Sequence, residues 1–129
     1  MIKALIVDDS AWMRLMIIDA LKPEGCVVTE ARNGFEAISL CRNVPFDLIT
    51  LDVTMPEMDG ITALQEIRKI NMSARIIMIT SLGQECCKRA AFIHGANDVL
   101  IKPFNKEALI NKVRAPLLEQ KGEPIVYFK

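Results

Sequence analysis

Five short runs of branched apolar residues recur along the chain, and they constrain the fold more than any other feature. They are Ala4–Val7, Val27–Ala31, Leu48–Asp52, Ile76–Thr80 and Val99–Ile101. Each is too short for a helix and too continuously apolar for a strand with one wet face, so each reads as a strand buried on both sides. Helical segments fill the intervals. Ser10 caps one over Ala11–Lys22, closed by Pro23 and Gly25; Asn33-Gly34 turns into Phe35–Asn43; Met55-Pro56 and Asp59-Gly60 lead into Ile61–Ile70. A loop containing Gly83 precedes a fourth helix that reaches His94 and stops at Gly95. Asn105 caps a fifth, which Pro116 should end or kink near Ala115. Strand and helix alternating five times, with right-handed crossovers, predict an α/β fold: a doubly wound, five-stranded parallel sheet of (βα)5 type.

In such a sheet ligands bind beyond the carboxyl ends of the strands. Those ends carry Asp8 and Asp9 after strand 1, Asp52 after strand 3, Thr80 and Ser81 after strand 4, and Lys102 after strand 5. Taken singly, Asp9 suits a helix cap, Thr80 a β-former and Lys102 a solvated charge. Their coincidence at the same end of their strands, with no comparable cluster at the other, carries the functional reading. Crowded carboxylates repel by about 4 kcal/mol per pair at ~4 Å and an effective dielectric near ~20. A hard divalent cation relieves that, and magnesium suits few carboxylates supplemented by water and phosphate oxygens. Carboxylate nucleophile, metal, ammonium and hydroxyl together make a site for phosphoryl transfer onto Asp52.

Composition narrows the alternatives. The 129 residues fit one domain, with 51% hydrophobic and 25% charged content. Sixteen basic and sixteen acidic residues cancel, which draws the chain toward neither nucleic acid nor an anionic membrane. No apolar run nears the roughly 18 residues of a membrane span, and no signal-peptide layout follows Met1, so a cytoplasmic location is expected. Cys26, Cys41, Cys86 and Cys87 lack metal-ligand spacing, and His94 alone cannot complete a zinc site with them. They read as small hydrophobes in a reducing compartment.

V-D-D-S-A-W-M-R (7–14), A-R-N-G-F-E-A-I (31–38), L-D-V-T-M-P-E-M-D-G (51–60), I-T-S-L-G-Q (79–84) and G-A-N-D-V-L-I-K-P-F (95–104) together resemble the response-regulator receiver family, chemotaxis type. The resemblance implies a flavodoxin-like fold of strand order 2-1-3-4-5. It also implies that Asp52 takes phosphate from a phosphohistidine on a sensor kinase or phosphotransfer domain. Magnesium, or manganese in its place, would be held by Asp9, Asp52 and the backbone carbonyl of Thr54, with Asp8 acting through water. Lys102 would pair with the phosphoryl group, its bond to Pro103 would be cis, and Thr80 would swing toward the phosphate. The result is a signalling module with only self-phosphorylation and self-dephosphorylation chemistry. Two departures stand out. Val99 occupies the usual aromatic switch position, and Ser81 stands where alanine is common, which bears on the lifetime of the phosphorylated state.

Helices 1 and 4 offer candidate partner surfaces. Met13, Met16, Ile17, Ala20 and Leu21 form the inward stripe of helix 1, leaving Trp12, Leu15 and Ile18 outward to dock a phosphodonor, or to be covered by the chain's own C-terminal part. On helix 4, Cys87, Ala90, Ala91 and His94 fit an inward stripe, which puts Phe92 outward near Val99, where it either packs on the rim or, with Val99, supplies a partner-binding aromatic contact. The expected organisation is a receiver over 1–115 and an extension of unclear role over 116–129, whose apolar end folds back, pairs with another chain in a weak dimer, or begins a linker. A receiver cut from a longer transcriptional or enzymatic regulator is the nearest rival. An aspartyl hydrolase would want an acid where Thr54 stands, and a flavin carrier would not put Asp8-Asp9 against a phosphate.

Overall fold

The structure, a computed structural model, describes residues 1–81 and 85–120, with backbone alone for 85, 86 and 115–120. Its elements run β1 (Ile2–Val7), α1 (Ala11–Leu21) with a single 3-10 turn (Lys22–Glu24), β2 (Cys26–Ala31), α2 (Gly34–Asn43), β3 (Leu48–Asp52), α3 (Gly60–Ile70), β4 (Arg75–Ser81), α4 (Glu85–Ile93), β5 (Asp98–Lys102) and α5 (Lys106–Gln120). All four strand pairings are parallel, in the order β2-β1-β3-β4-β5. This is the expected doubly wound, flavodoxin-like (βα)5 fold.

The period-two pleat explains why continuous apolar runs were needed. On one face, Leu5, Val7, Ile49, Leu51, Ile76, Met78 and Val99 pack with residues of α2, α3 and α4. On the other, Ala4, Ile6, Leu48, Ile77, Ile79 and Leu100 pack with α1 and α5. Every residue of the central β3 is buried, Asp52 included. Each large aliphatic side chain buried there contributes about 1.5–3 kcal/mol, so a carboxylate at the end of that strand needs a polar reason to be tolerated.

Side chains cap the helices where the sequence placed them. Ser10 accepts from Met13 N at 3.2 Å, Asn33 from Glu36 N at 2.9 Å, Asp59 from Thr62 N at 2.9 Å and Asn105 from Ala108 N at 2.8 Å.

Four expectations are corrected. Ile18 is buried, not outward, because α5 lies alongside α1 and Leu109 and Val113 join Ile18 in one cluster. Val99 is only 6% exposed: its side chain points under α4 with Ala91 and Ala96, so it offers no partner surface. His94 is exposed, while Ala91 takes the inward position and Cys87 and Ala90 are half-buried. Finally, of the two outcomes expected for α5 at Pro116, an end near Ala115 is excluded, because the helix runs to Gln120. Pro116 has no N–H for the carbonyl of Lys112 four residues back; the Arg75 side chain donates to that carbonyl instead, Nε to O at 3.1 Å. The Gly83 loop and residues 121–129 of the extension lie outside the described residues.

Candidate functional site

The carboxyl edge of the sheet is assembled mostly by backbone contacts. β3 continues one residue past Asp52, since Val53 N donates to Ile79 O at 2.9 Å. The chain then turns through Met55–Asp59, with Glu57 at φ +71°, and Gly60 N returns to Val53 O at 2.7 Å. A Cβ on Gly60 would stand 2.1 Å from the Asp52 carbonyl oxygen and 2.7 Å from Val53 Cα. Only glycine permits the start of α3 to lie this close to the strand end that carries Asp52.

Across the edge, the carboxylate of Asp8 accepts from Ser10 N at 2.9 Å and its backbone N donates to Ala31 O at 3.1 Å. Arg14, one turn into α1, donates from Nη1 to the Asp8 carbonyl at 2.7 Å and from Nε to Glu30 at 2.9 Å. That guanidinium ties the ends of β1 and β2 together. Sequence reading missed both Arg14 and the role of Gly60. Their only traces were an arginine a helical turn beyond the Ser10 cap and the glycine of the Asp59-Gly60 turn.

Asp8, Asp9 and Asp52 each bring one carboxylate oxygen to within 4.8 Å of the others. Asp8 is 1% exposed and Asp52 5%, whereas Asp9 faces solvent. Lys102 Nζ lies 3.5 Å from Asp8 Oδ2 and 3.5 Å from Asp52 Oδ1. At that range the ammonium acts as a shared charge more than as a directed donor. Thr54 N lies 3.4 Å from Asp52 Oδ1. Thr80 is buried, and Thr80 and Ser81 follow Ile79, which pairs with Asp52 in the ladder; Ser81 itself pairs with Lys102. The Lys102–Pro103 bond is cis. The predicted Asp8, Asp9, Asp52, Thr80 and Lys102 thus share one edge. Trp12 and Leu15 (70% and 56% exposed) stand outward on α1 beside it, and Phe92 is exposed on α4.

Electrostatics at this edge favour a cation. Burial raises the Asp52 carboxyl to about 6 from an ordinary 3.8; the charge of Asp8 adds to the rise, and Lys102 and Thr54 N only partly offset it. Asp8 is also raised, by burial first, against the opposing Ser10 N–H and Lys102. One ammonium therefore does not compensate two buried carboxylates. Asp8 Oδ2, fully buried, has no hydrogen-bond partner. An all-oxygen donor set with an under-satisfied carboxylate fits a hard divalent ion.

A parallel doubly wound sheet with acids, an ammonium and a hydroxyl gathered at its carboxyl edge defines an α/β domain built to manage a charged ligand there. Comparison with known proteins narrows this. Residues 4–114 match the response regulator receiver domain model. The chain is 46% identical over 116 residues to the chemotaxis protein CheY of Bacillus subtilis, covering 89% of this chain and 97% of that one. It is 42% identical to the chemotaxis protein CheY of Thermotoga maritima, covering 86% and 96%. The Vibrio cholerae chemotaxis protein CheY4 superposes with a TM-score of 0.82 at 34% identity, covering 88% and 97%. The chain belongs to the response regulator receiver family and is a CheY-like receiver domain of a two-component response regulator. Such domains are signalling modules that stand between a phosphodonor kinase and a downstream target.

Proposed function

We propose that Asp52 is the phosphoacceptor and that the domain relays a chemotaxis-type signal. The observation that carries this reading is a carboxylate, 5% exposed, at the end of the central strand with a lysine 3.5 Å away and two further carboxylates beside it. In the transfer, an Asp52 oxygen attacks phosphorus, the Oδ–P bond forms, and the N–P bond of the donor phosphohistidine breaks. The imidazole keeps that electron pair and takes a proton from water. With its pKa about 6, Asp52 is mostly ionised, and so nucleophilic, at neutral pH.

Magnesium, or manganese, would be held by Asp9, Asp52 and the Thr54 carbonyl, with Asp8 acting through water. It would neutralise charge on the transferring oxygens. Lys102 supplies the second positive charge, and once Asp52 carries an acyl phosphate its ammonium is free to pair with the phosphoryl group. Thr80 offers a hydroxyl at the adjoining strand end. A phosphoryl group adds nearly two negative charges and three acceptors, enough to draw the Thr80 hydroxyl toward it. With Val99 buried, readout does not run through a large ring at that position.

Trp12 and Leu15 form the face for the histidine-bearing donor, and Phe92 marks the face for the target. Ile18 and Val99, buried here, have no part in either. The receiver proper comprises residues 1–115, with 116–129 a separate extension. In a test, acetyl phosphate with magnesium should raise the intact mass by one phosphoryl group and change Trp12 fluorescence. Chelation, Asp52→Asn or Lys102→Ala should suppress both. Labelling that survives Asp52→Asn undiminished contradicts the proposal.

A further inference from the structure

Two clefts of about 450 and 570 Å³ open at the other edge of the sheet, where helices end and strands begin. Cys41–Pro45 and Ile70–Ser73 line the first; Gln65, Arg68, Lys69, Met72 and Ile93–Gly95 line the second. Met72 belongs to both, so they form one continuous depression. Its apolar side chains are bare: Met72 is 86% exposed, Ile93 71% and Ile70 39%. Exposed apolar groups gathered in one depression, not scattered singly, indicate a contact surface.

The charges that line it are of one sign. Among the described residues, the basic Arg42, Arg68 and Lys69 line the two clefts, with the imidazole of His94 beside them, and no carboxylate does. Arg89, exposed on α4 one turn before Ile93, extends the same side. Glu66 pairs with Lys69 at 3.0 Å, but both side chains are well exposed, and such a pair holds little charge back. Arg68 is half-buried, and its described donors go to neutral acceptors: Gly95 O at 2.8 Å, Asn71 O at 3.3 Å, Ala74 O at 2.6 Å and Asn97 Oδ1 at 2.7 Å. Its positive charge therefore reaches the cleft unneutralised by any of them.

The same bonds make the surface rigid. Arg68 ties together the loops before β4 and β5, and Asn71 fastens the first of these to Phe46 O at 3.0 Å and to Ala74 N at 2.9 Å. A preformed surface pays less ordering entropy on binding.

We infer that the depression around Met72, flanked by Arg68, Lys69 and Arg89, docks an acidic amphipathic helix of a partner protein. The partner's apolar residues cover Met72 and Ile93, and its carboxylates face the cations. This contact lies at the edge opposite Asp52, so it leaves the phosphoacceptor open and does not depend on the reading of that site.

The test uses a fluorescein-labelled synthetic peptide that forms one helix with leucines on one face and glutamates on the other. Anisotropy should report saturable binding that weakens with salt, and methyl shifts should concentrate at Met72 and Ile93. Lys69→Glu with Arg89→Glu should weaken it about tenfold, as reversal of two rim charges does. Met72→Ser, at an exposed position that the fold does not need, should weaken it comparably. A matching lysine peptide should not bind. Absent binding, shifts centred on Trp12 or Phe92, or equal binding of the lysine peptide overturn the inference. So does preferential binding of duplex DNA at this surface, or a dimer in sedimentation that Met72→Ser dissolves.

Discussion

Substituting Gly60 by alanine tests whether the phosphoacceptor strand depends on a bare backbone at the start of α3. The new Cβ would lie 2.1 Å from Asp52 O, 2.9 Å from Asp52 C and 2.7 Å from Val53 Cα, all backbone atoms, whereas ordinary contact begins near 3.4 Å. About 1.3 Å of separation must be found at the closest of these contacts. Yet the junction is fixed by Gly60 N to Val53 O at 2.7 Å and Val53 N to Ile79 O at 2.9 Å. Overpacking against a held backbone costs about 3 kcal/mol, more than the ~1 kcal/mol alanine gains over glycine in a helix. Gly34→Ala is the control. There the Cβ meets Met58 Sδ at 2.7 Å, on a flexible side chain that can rotate away, and Ala63 Cβ at 3.2 Å, which must give by a few tenths of an ångström, so the cost should stay at about 1 kcal/mol. Urea unfolding of both variants reads the difference. A misplacement of Asp52 near ~1 Å should also slow phosphoryl uptake about a hundredfold in Gly60→Ala. Should Gly60→Ala prove as stable as Gly34→Ala, the close approach is not what holds Asp52 in place.

Further outcomes follow from charge and backbone. Because Asp52 titrates near 6 when folded against 3.8 ordinarily, its ionisation opposes folding: the penalty is absent below about pH 3.8, grows between the two values and is complete above 6. At 1.36 kcal/mol per pH unit the full penalty is about 3 kcal/mol. Asp52→Asn should therefore be more stable than the parent at pH 8 without metal and no more stable near pH 4; equal stability at pH 8 would refute the assigned burial cost. Arg75→Ala should destabilise by about 1–2 kcal/mol, and by about 1 kcal/mol less in a Pro116→Ala background, where a restored N–H satisfies Lys112 O. Strict additivity in that cycle would sever the link between Arg75 and the proline. Glu57 sits at φ +71°, so Glu57→Gly should gain about 0.5 kcal/mol where Glu57→Ala gains nothing; a thermal melt ranks the three proteins.

The strand-and-helix order was legible because period and apolar content report burial directly. Convergence of Asp8, Asp9, Asp52, Thr80 and Lys102 then followed from topology alone, since parallel strands put all their carboxyl ends on one edge. What stayed hidden acts through the backbone or over long sequence separation. β1, β2, β4 and β5 each begin earlier than the apolar runs do, at Ile2, Cys26, Arg75 and Asp98. Those first turns of ladder are held by main-chain bonds to which side-chain pattern is blind. Ile18 was misplaced because α1 is apolar nearly all round, wedged between the sheet and α5, and one helix cannot announce its second neighbour. Where α5 runs past Pro116, the Lys112 carbonyl takes its donor from Arg75, far back in the chain. Arg14 and Gly60 carry no apolar signal at all.

The most direct test of the central claim is to locate the phosphoryl group. After incubation with acetyl phosphate and magnesium, borohydride cleavage of the acyl phosphate followed by peptide mass mapping should find a single reduced position, Asp52. Modification at Asp8, Asp9 or any other residue in place of Asp52 would contradict the account.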